Sequence, residues 1–330
     1  MKHRIDLKDI SFVVQGVIDS VNTPICLYSI KKYFPDSPII LSTWEGSDVS
    51  MFERKSVTIV LNKDPGGFEY ERYDKKKIYN NVNRQIVSSY NGLKHVQTYY
   101  AIKIRSDMAV LSNRFVKYLF KFPKRSNEYR LFENRVILYC FTSKFQFKEE
   151  KTPFHISDWF YFGNTSDLIK LFDIPFYPDE DNLYFEKEYS KNTLKEYSNK
   201  PFRYHPEQYI GYKYFSKYFP EVCFEHRFCN DDKINDISNH FIANNFLILS
   251  HFQLSLYFLK KDRCEYFGQS YDYWKKTITF PEYEILYKKY CDEKYIRSFI
   301  RWYYKLIIRY IYKNNILNNI IKNYYKNKIK

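Results

Sequence analysis

Glycine and proline are scarce in this sequence, and several familiar motifs are absent from it. The chain of 330 residues contains 8 Gly and 12 Pro, while 45% of its residues are hydrophobic. This composition is typical of a globular protein and excludes a disordered one. The sequence has no GxGxxG, GxxxxGK[ST], HExxH or GxSxG motif and no protein-kinase motif. These absences disfavour a Rossmann dehydrogenase, a P-loop NTPase and a serine hydrolase.

Long apolar runs and paired cysteines are also lacking. The most apolar segment, FLILSHFQLSLYFL at 246–259, is shorter than the roughly 20 residues that a membrane-spanning helix needs. We therefore expect a buried helix or a pair of strands there. The six cysteines show no CxxC or zinc-finger spacing, and no apolar signal segment follows the N-terminal residues MKHRIDLKDI. These features predict reduced thiols in a cytoplasmic protein.

Acidic residues are missing from one part of the chain. The net charge is +15, but residues 294–330 contain ten Lys or Arg and no acid. Because the rest of the chain is nearly balanced, the charge does not favour a nucleic-acid-binding protein. The tail repeats a basic residue every four positions, at Arg297, Arg301, Lys305, Arg309 and Lys313. This spacing predicts a basic amphipathic helix on an anionic membrane surface, with a helix packed on the protein body as the alternative.

Apolar strands alternate with helices over the first 110 residues. Strands are predicted at 10–16, 37–46, 57–67 and 99–104, and helices at 23–36 and 79–97. This alternation predicts an α/β fold with a mostly parallel sheet and helices on both of its faces, followed by a mainly helical region at 201–290. We divide the chain into an α/β half (9–170), a second half (171–293) and the basic tail (294–330).

Polar residues cluster where these strands end, which is where parallel sheets bind ligands. In AIKIRSDM (101–108) an apolar strand is followed by Arg105 and Asp107. A carboxylate there can bind a divalent cation, and the guanidinium can bind a phosphate. The alternative is that the two side chains only pair with each other. The Asp-x-Asp pattern at 179–181 is a second, weaker metal candidate because it lies in a charged loop.

Seven segments occur in an order that resembles the WavE family of lipopolysaccharide-synthesis proteins. They are ISFVVQG, IILSTWEGSDV, LNKDPG, NNVNRQIVSSYNGL, AIKIRSDM, HISDWFYFG and HPEQY, within about residues 9–215. The resemblance implies a GT-A-like nucleotide-binding sheet with an acceptor-binding half. It also implies a glycosyltransferase that moves a sugar from a nucleotide-sugar donor onto a lipopolysaccharide, O-antigen or capsule glycan. Such an enzyme is expected at the inner face of the inner membrane, with a lipid-linked or lipopolysaccharide acceptor.

The resemblance also implies roles for residues on the donor side. Those expected to bind the donor are Gln15, Gly16, Glu45, Asp48, Asp64, Arg84, Gln85, Arg105 and Asp107. A divalent cation, Mn²⁺ or Mg²⁺, is a candidate cofactor with Asp107 as its ligand. The usual Asp-x-Asp is replaced by Arg105-Ser106-Asp107, and one acid binds such an ion weakly unless a second ligand joins it. His226 and His240 are guesses for that ligand.

Two acids are candidates for deprotonating the acceptor hydroxyl. Asp158 begins an aromatic stretch in HISDWFYFG, and Glu207 follows His205-Pro206 at a predicted helix start. We favour Asp158, with Glu207 as the alternative, if the enzyme is inverting; a retaining enzyme needs no such base. The single acid in Arg105-Ser106-Asp107 leaves a second interpretation open, a non-catalytic, membrane-peripheral protein of polysaccharide assembly.

Overall fold

A sheet of seven strands lies at the centre of the protein. The structure, a computed structural model, describes residues 5–53, 56–71, 75, 77–147, 150–187, 201–260, 277–298 and 324. In chain order its strands are β1 (Ile10–Gln15), β2 (Ile39–Trp44), β3 (Thr58–Asn62), β4 (Phe68–Glu71), β5 (Lys77–Asn80), β6 (Tyr100–Arg105), β7 (Met108–Val110), β8 (Val136–Tyr139), β9 (Gln146–Phe147), β10 (Glu150–Lys151), β11 (Phe160–Asn164), β12 (Phe246–Leu249) and β13 (Leu256–Phe258).

Helices connect and cover these strands. They are α1 (Asn22–Tyr33), α2 (Ser50–Glu53), α3 (Val82–Lys94), α4 (Thr165–Phe172), α5 (Asp179–Asn182), α6 (Tyr184–Lys187), α7 (Pro206–Ser216), α8 (Asp232–Asn245), α9 (His251–Leu254) and α10 (Phe280–Tyr290). Two short 3₁₀ helices lie at Leu7–Asp9 and Arg114–Tyr118. Two of the longer helices, α8 and α10, are capped at their starts: the Asp231 carboxylate accepts a hydrogen bond from the N–H of Ile234, and Thr279 forms a capping box with Glu282.

The order of the central sheet is β12-β8-β11-β6-β1-β2-β3. Strands β6, β1, β2 and β3 are parallel neighbours, β11 is antiparallel to β6 and β8, and β12 is parallel to β8. The sheet is therefore mostly parallel, and the predicted α/β class is confirmed. Strand β12 comes from the second predicted segment and pairs with β8 from the first. The division into segments stays a prediction.

Alternate residues of β1 face helices on opposite sides of the sheet. Phe12 packs edge to face against Phe34, the residue after α1, with ring centroids 4.8 Å apart. Val13 points the other way, toward Gly92 of α3. All six residues of β1 are buried, as expected for a parallel strand covered on both faces. The prediction of helices on both faces is confirmed.

The predicted elements of the first half agree with the structure to within a few residues, a pair of strands is present at 246–259 as one of the two structures expected there, and the region predicted as mainly helical differs. The helix predicted at 79–97 begins at Val82, because residues 77–80 form β5 against β4. The apolar segment 246–259 is strand, short helix and strand. Within the predicted helical region 201–290, helices α7, α8, α9 and α10 are accompanied by two strands, β12 and β13. Propensity cannot detect such strands because short apolar runs fit either structure.

Most of the predicted basic tail lies outside the described residues, including Arg301, Lys305, Arg309 and Lys313. Arg297 is described and belongs to no helix. Beside it, Tyr295 and Ser298 donate hydrogen bonds to the Glu284 carboxylate of α10 at 2.7 and 2.6 Å. The start of the tail is therefore fixed to the protein body. In the part of the chain that the structure describes, no helix is long and apolar enough to cross a membrane.

Gly92 allows α3 to lie directly on the sheet. A Cβ added at this position would stand 2.5 Å from Val13 Cγ1 and 2.9 Å from Ser42 Cβ, which is closer than real contacts allow. We expect Gly92→Ala to lower the free energy of unfolding by about 1–3 kcal/mol, the usual cost of overpacking, although alanine favours a helix over glycine. Urea unfolding measures this change, with the exposed Lys94→Ala of the same helix as control. Equal stability of both variants and wild type would contradict the close packing.

Candidate active site at the carboxyl ends of the strands

The ends of β1 and β6 bring Gln15 and Arg105 side by side. The two residues are partners in the parallel register, and Gln15 accepts a hydrogen bond of 2.8 Å from Ser88 of α3. Gly16 then turns the chain with φ of +119°, a conformation that favours glycine. A Cβ there would be 3.4 Å from Ser106 Oγ. The turn after β1 therefore lies against Ser106, the residue that follows Arg105.

Arg105 and Asp107 form a two-pronged ion pair. Nε and one terminal nitrogen of Arg105 donate to the two oxygens of Asp107 at 2.9 and 2.7 Å. Lys260, just after β13, lies 3.6 Å from the same carboxylate. Burial opposes the charge on Arg105, but the Asp107 carboxylate raises the pKa of the guanidinium. The pairing that the sequence left open is thus present, and Asp107 fixes the direction of Arg105.

Two aromatic rings hold the other side of Arg105. The guanidinium carbon lies 5.1 Å from the ring centroid of Trp159 and 5.6 Å from that of Phe258. These rings stack on each other at 4.5 Å. The Arg105 side chain keeps 17% of its surface exposed, and no described residue accepts a hydrogen bond from its third nitrogen, Nη1. The arrangement presents a fixed cation with one donor nitrogen directed away from its carboxylate partner.

Asp158 lies beside this cation in the loop before β11. It is 4% exposed, and its Oδ1 accepts no hydrogen bond from the described residues. Burial raises the pKa of the Asp158 carboxyl, and the charge of Glu207 raises it further. Lys103, Arg105 and a hydrogen bond from Gln85 act in the opposite direction. A buried carboxylate with an unused oxygen and a raised pKa is suited to accept a proton.

Glu207 belongs to the first turn of α7 and is half-buried. The sequence offered Glu207 as the alternative to Asp158, but the structure places its charge close enough to act on both Asp158 and Arg105. The two acids therefore share one site although 48 residues separate them in the chain. The charge of Glu207 therefore makes Asp158 harder to ionise.

Sequence reasoning missed Lys103, which is fully buried in the middle of β6. Its Nζ donates a hydrogen bond to the main-chain oxygen of Asp158. The same nitrogen lies 5.4 Å from the ring centroid of Tyr161 and 5.7 Å from that of Phe172. Burial lowers the pKa of Lys103 to about 7. The available signal was a single lysine inside the apolar run YAIKI, since lysine is almost never fully buried without a partner.

The other predicted donor residues lie around this cluster in three different settings. Arg84 donates to both oxygens of Asp64 at 2.8 and 2.7 Å, so these residues pair with each other. Glu45 and Asp48 are exposed after β2, and Asp48 accepts hydrogen bonds from Ser50. Gln85 contacts Asp158, as described above. The structure thus gathers Gln85, Arg105, Asp107, Asp158 and Glu207, with Gln15 at their edge.

A family model described as WavE lipopolysaccharide synthesis matches residues 10–316. The chain belongs to the WavE family. No curated protein matches the sequence. Among solved structures, a cytidylyltransferase from Leptospira borgpetersenii serovar Hardjo-bovis (strain JB197) is 12% identical with a TM-score of 0.31, over 56% of this chain and 73% of that one. HddC from Yersinia pseudotuberculosis is 12% identical with a TM-score of 0.28, over 56% and 85%.

The candidate metal ligands of this WavE-family chain do not fit a divalent ion. Both oxygens of Asp107 accept hydrogen bonds from Arg105. In the described ranges no three His, Cys, Asp or Glu side chains come together in a group that could hold a metal. His240 pairs instead with Asp236 at 3.8 Å, and His226 packs against Phe185. The weaker candidate at 179–181 forms α5, where Asp181 pairs with Arg203 at 3.3 Å.

Proposed function

We propose that this WavE-family protein is a glycosyltransferase of lipopolysaccharide synthesis that uses a nucleotide-sugar donor. One observation carries the proposal: a fixed cation, Arg105, and a buried carboxylate with an unused oxygen, Asp158, lie together at the carboxyl ends of the sheet. An inverting transfer of a sugar from a nucleotide diphosphate uses these two functions. The cation stabilises the leaving diphosphate, and the carboxylate accepts the proton of the acceptor hydroxyl.

On the donor side, Arg105 binds the diphosphate through its outward nitrogen, and Lys260 adds a second positive charge. In the transition state the bond between the sugar carbon and the diphosphate oxygen breaks, and negative charge grows on that oxygen. Charges held in place before the reaction stabilise it without reorganisation. Asp107 orients Arg105, and Gln15 and Gly16 lie at the same edge of the sheet.

On the acceptor side, Asp158 takes the hydroxyl proton while the acceptor oxygen forms its bond to the sugar carbon. The electron pair of the broken bond leaves with the diphosphate. Glu207 supports this role because its charge raises the pKa of Asp158 and makes the carboxylate a stronger base. A base that acts in this way belongs to an inverting reaction. The anomeric configuration of the product, read by NMR, tests that assignment.

The proposed acceptor is a lipid-linked or lipopolysaccharide glycan of the O-antigen or capsule type. We place the protein in the cytoplasm at the inner face of the inner membrane, where the basic residues from 294 onward meet anionic lipid. Liposome flotation of the full chain and of a chain ending at residue 293 tests this placement. Equal binding of both forms at low salt would contradict it.

Thermal unfolding with UDP-, GDP- and CMP-sugars tests donor binding directly. We expect one nucleotide class to raise Tm, because a ligand that binds only the folded state stabilises it. Since Arg105 occupies the carboxylate of Asp107, the rise should be equal in EDTA and in Mn²⁺. The matching free monosaccharides serve as controls. A rise that needs Mn²⁺ would contradict the assignment of the cation role to Arg105.

A non-catalytic assembly protein remains the second candidate because the acid expected to bind a metal is held by Arg105. It differs from the first candidate in a measurable way. An assembly protein with no donor site would show no rise in Tm with any nucleotide sugar. A protein that binds the donor but does not turn it over would keep the rise and lack product.

A further inference from the structure

Lys103 is the charged group of the central sheet that the mechanism above leaves without a role. It lies on the same face of β6 as Arg105, and its neighbours in the register are Val13 and Tyr161. Its exposure is 0%. A lysine in this position costs stability unless its nitrogen is satisfied, so its retention between apolar strands calls for a specific partner.

The partner is the loop that carries Asp158. The Lys103 nitrogen donates to the Asp158 main-chain oxygen and rests against the rings of Tyr161 and Phe172. The charged groups that act on Lys103 are the carboxylates of Asp158 and Asp107 and the guanidinium of Arg105. Glu207 acts on Asp158 from α7. Lys103 is thus joined to the backbone of Asp158 and electrostatically coupled to its side chain.

We propose that Lys103 is a positioning residue for Asp158. Its hydrogen bond fixes the loop, and its positive charge keeps the Asp158 carboxylate ionised beside Glu207. This assignment rests on the proposed function for its catalytic meaning, while the coupling between the two side chains is a property of the folded chain itself.

The pKa values give the coupling a pH dependence. Burial lowers the pKa of Lys103 to about 7, so the supporting charge is present below that pH and is lost above it. Between about pH 7 and pH 10.4, the usual lysine pKa, the unfolded chain binds a proton at this position that the folded chain does not. Stability contributed by Lys103 therefore rises with pH over that interval.

A double-mutant cycle measures the coupling without any substrate. Lys103→Met, Asp158→Asn and the double variant are unfolded in urea at pH 6 and pH 9, with Lys121→Met as the matched control. Lys121 is also a lysine against aromatic rings, those of Tyr118, Phe122 and Phe280. At pH 6 we expect the shifts in the urea midpoint for positions 103 and 158 to be non-additive, and at pH 9 we expect the deviation from additivity to be smaller. The shifts for positions 121 and 158 should be additive. Additive shifts for 103 and 158 at both pH values would overturn the proposal.

The rate profile provides the second readout, with the nucleotide sugar that raises Tm as donor. In Lys103→Met the acid limb of kcat should move up by about 1–3 pH units, the effect of removing one nearby opposite charge, while the donor KM stays unchanged. Lys103→Arg should keep the acid limb near its wild-type position. Should neither variant fold, Asp158→Asn alone still decides: it removes a carboxylate that favours the charged form of Lys103, so the rise of stability with pH should begin at lower pH than in the wild type, and an unchanged stability profile from pH 6 to 9 would refute the role. If the double-mutant cycle shows coupling but no sugar is transferred, the interaction between Lys103 and Asp158 stands. Only the proposed glycosyltransferase activity is then refuted.

Discussion

Replacing Asp158 with asparagine is expected to lower kcat for sugar transfer by about 10²–10⁴-fold, the usual contribution of a general base. Asparagine keeps the size of the side chain and cannot accept the hydroxyl proton. Donor binding should persist, because the proposal assigns Asp158 to the acceptor and the diphosphate to Arg105. Single-turnover transfer measures the rate, and titration calorimetry with the donor measures binding.

A buried aspartate elsewhere provides the control for this substitution. Asp167 of α4 is also buried, has a raised pKa because of that burial, and accepts a hydrogen bond of 2.8 Å from the N–H of Glu133. Asp167→Asn should leave kcat unchanged even if it alters stability. Glu207→Gln should lower kcat less than Asp158→Asn, since Glu207 acts through the pKa of its neighbour. A fully active Asp158→Asn protein would remove this residue from the site.

The sequence predicts where the site lies better than it predicts which side chains pair with each other inside it. Buried parallel strands are continuous apolar runs, so their ends are visible as the first polar residues, and parallel strands end at one edge of a sheet. Arg105 and Asp107 could therefore be placed together with Gln15 from the alternation alone. The α3 residues Arg84 and Gln85 were expected only because of the resemblance to the WavE family.

The partners of each charge could not be predicted, because they depend on packing between distant segments. Asp158 and Glu207 were alternatives in the sequence, and only the contact of the β11 loop with α7 makes them a pair. Arg84 and Gln85 are neighbours on α3, yet one binds Asp64 and the other contacts Asp158. Consecutive side chains of a helix point roughly 100° apart, and sequence spacing does not say which of the two directions meets the site. The contact of Lys103 with the Asp158 loop could not be predicted either, because it depends on the register of β6 against β11.

Replacing Arg105 with glutamine is expected to lower kcat/KM for the donor by about 10²–10³-fold, the loss found when one fixed donor to a developing oxyanion is removed. Asp107→Asn should lower kcat/KM less, because the guanidinium remains against the rings of Trp159 and Phe258 and only its orientation is lost. The double variant should be no worse than Arg105→Gln, because Asp107 acts through Arg105 and groups that act as one unit are not additive. Steady-state kinetics with varied donor measures all three proteins.

The matched control for this ion pair is Arg203, which pairs with the buried Asp181 and lies 5.2 Å from the ring centroids of both Tyr184 and Tyr204. Arg203→Gln removes another cation that is ion-paired and packed against rings but lies away from the strand ends, so it should change stability and leave donor kinetics unaltered. Additive losses in Arg105→Gln and Asp107→Asn would mean that Asp107 contacts the donor by itself. An Asp107→Asn loss larger than that of Arg105→Gln would return Asp107 to the role of metal ligand, and Mn²⁺ dependence of the wild type would then have to accompany it.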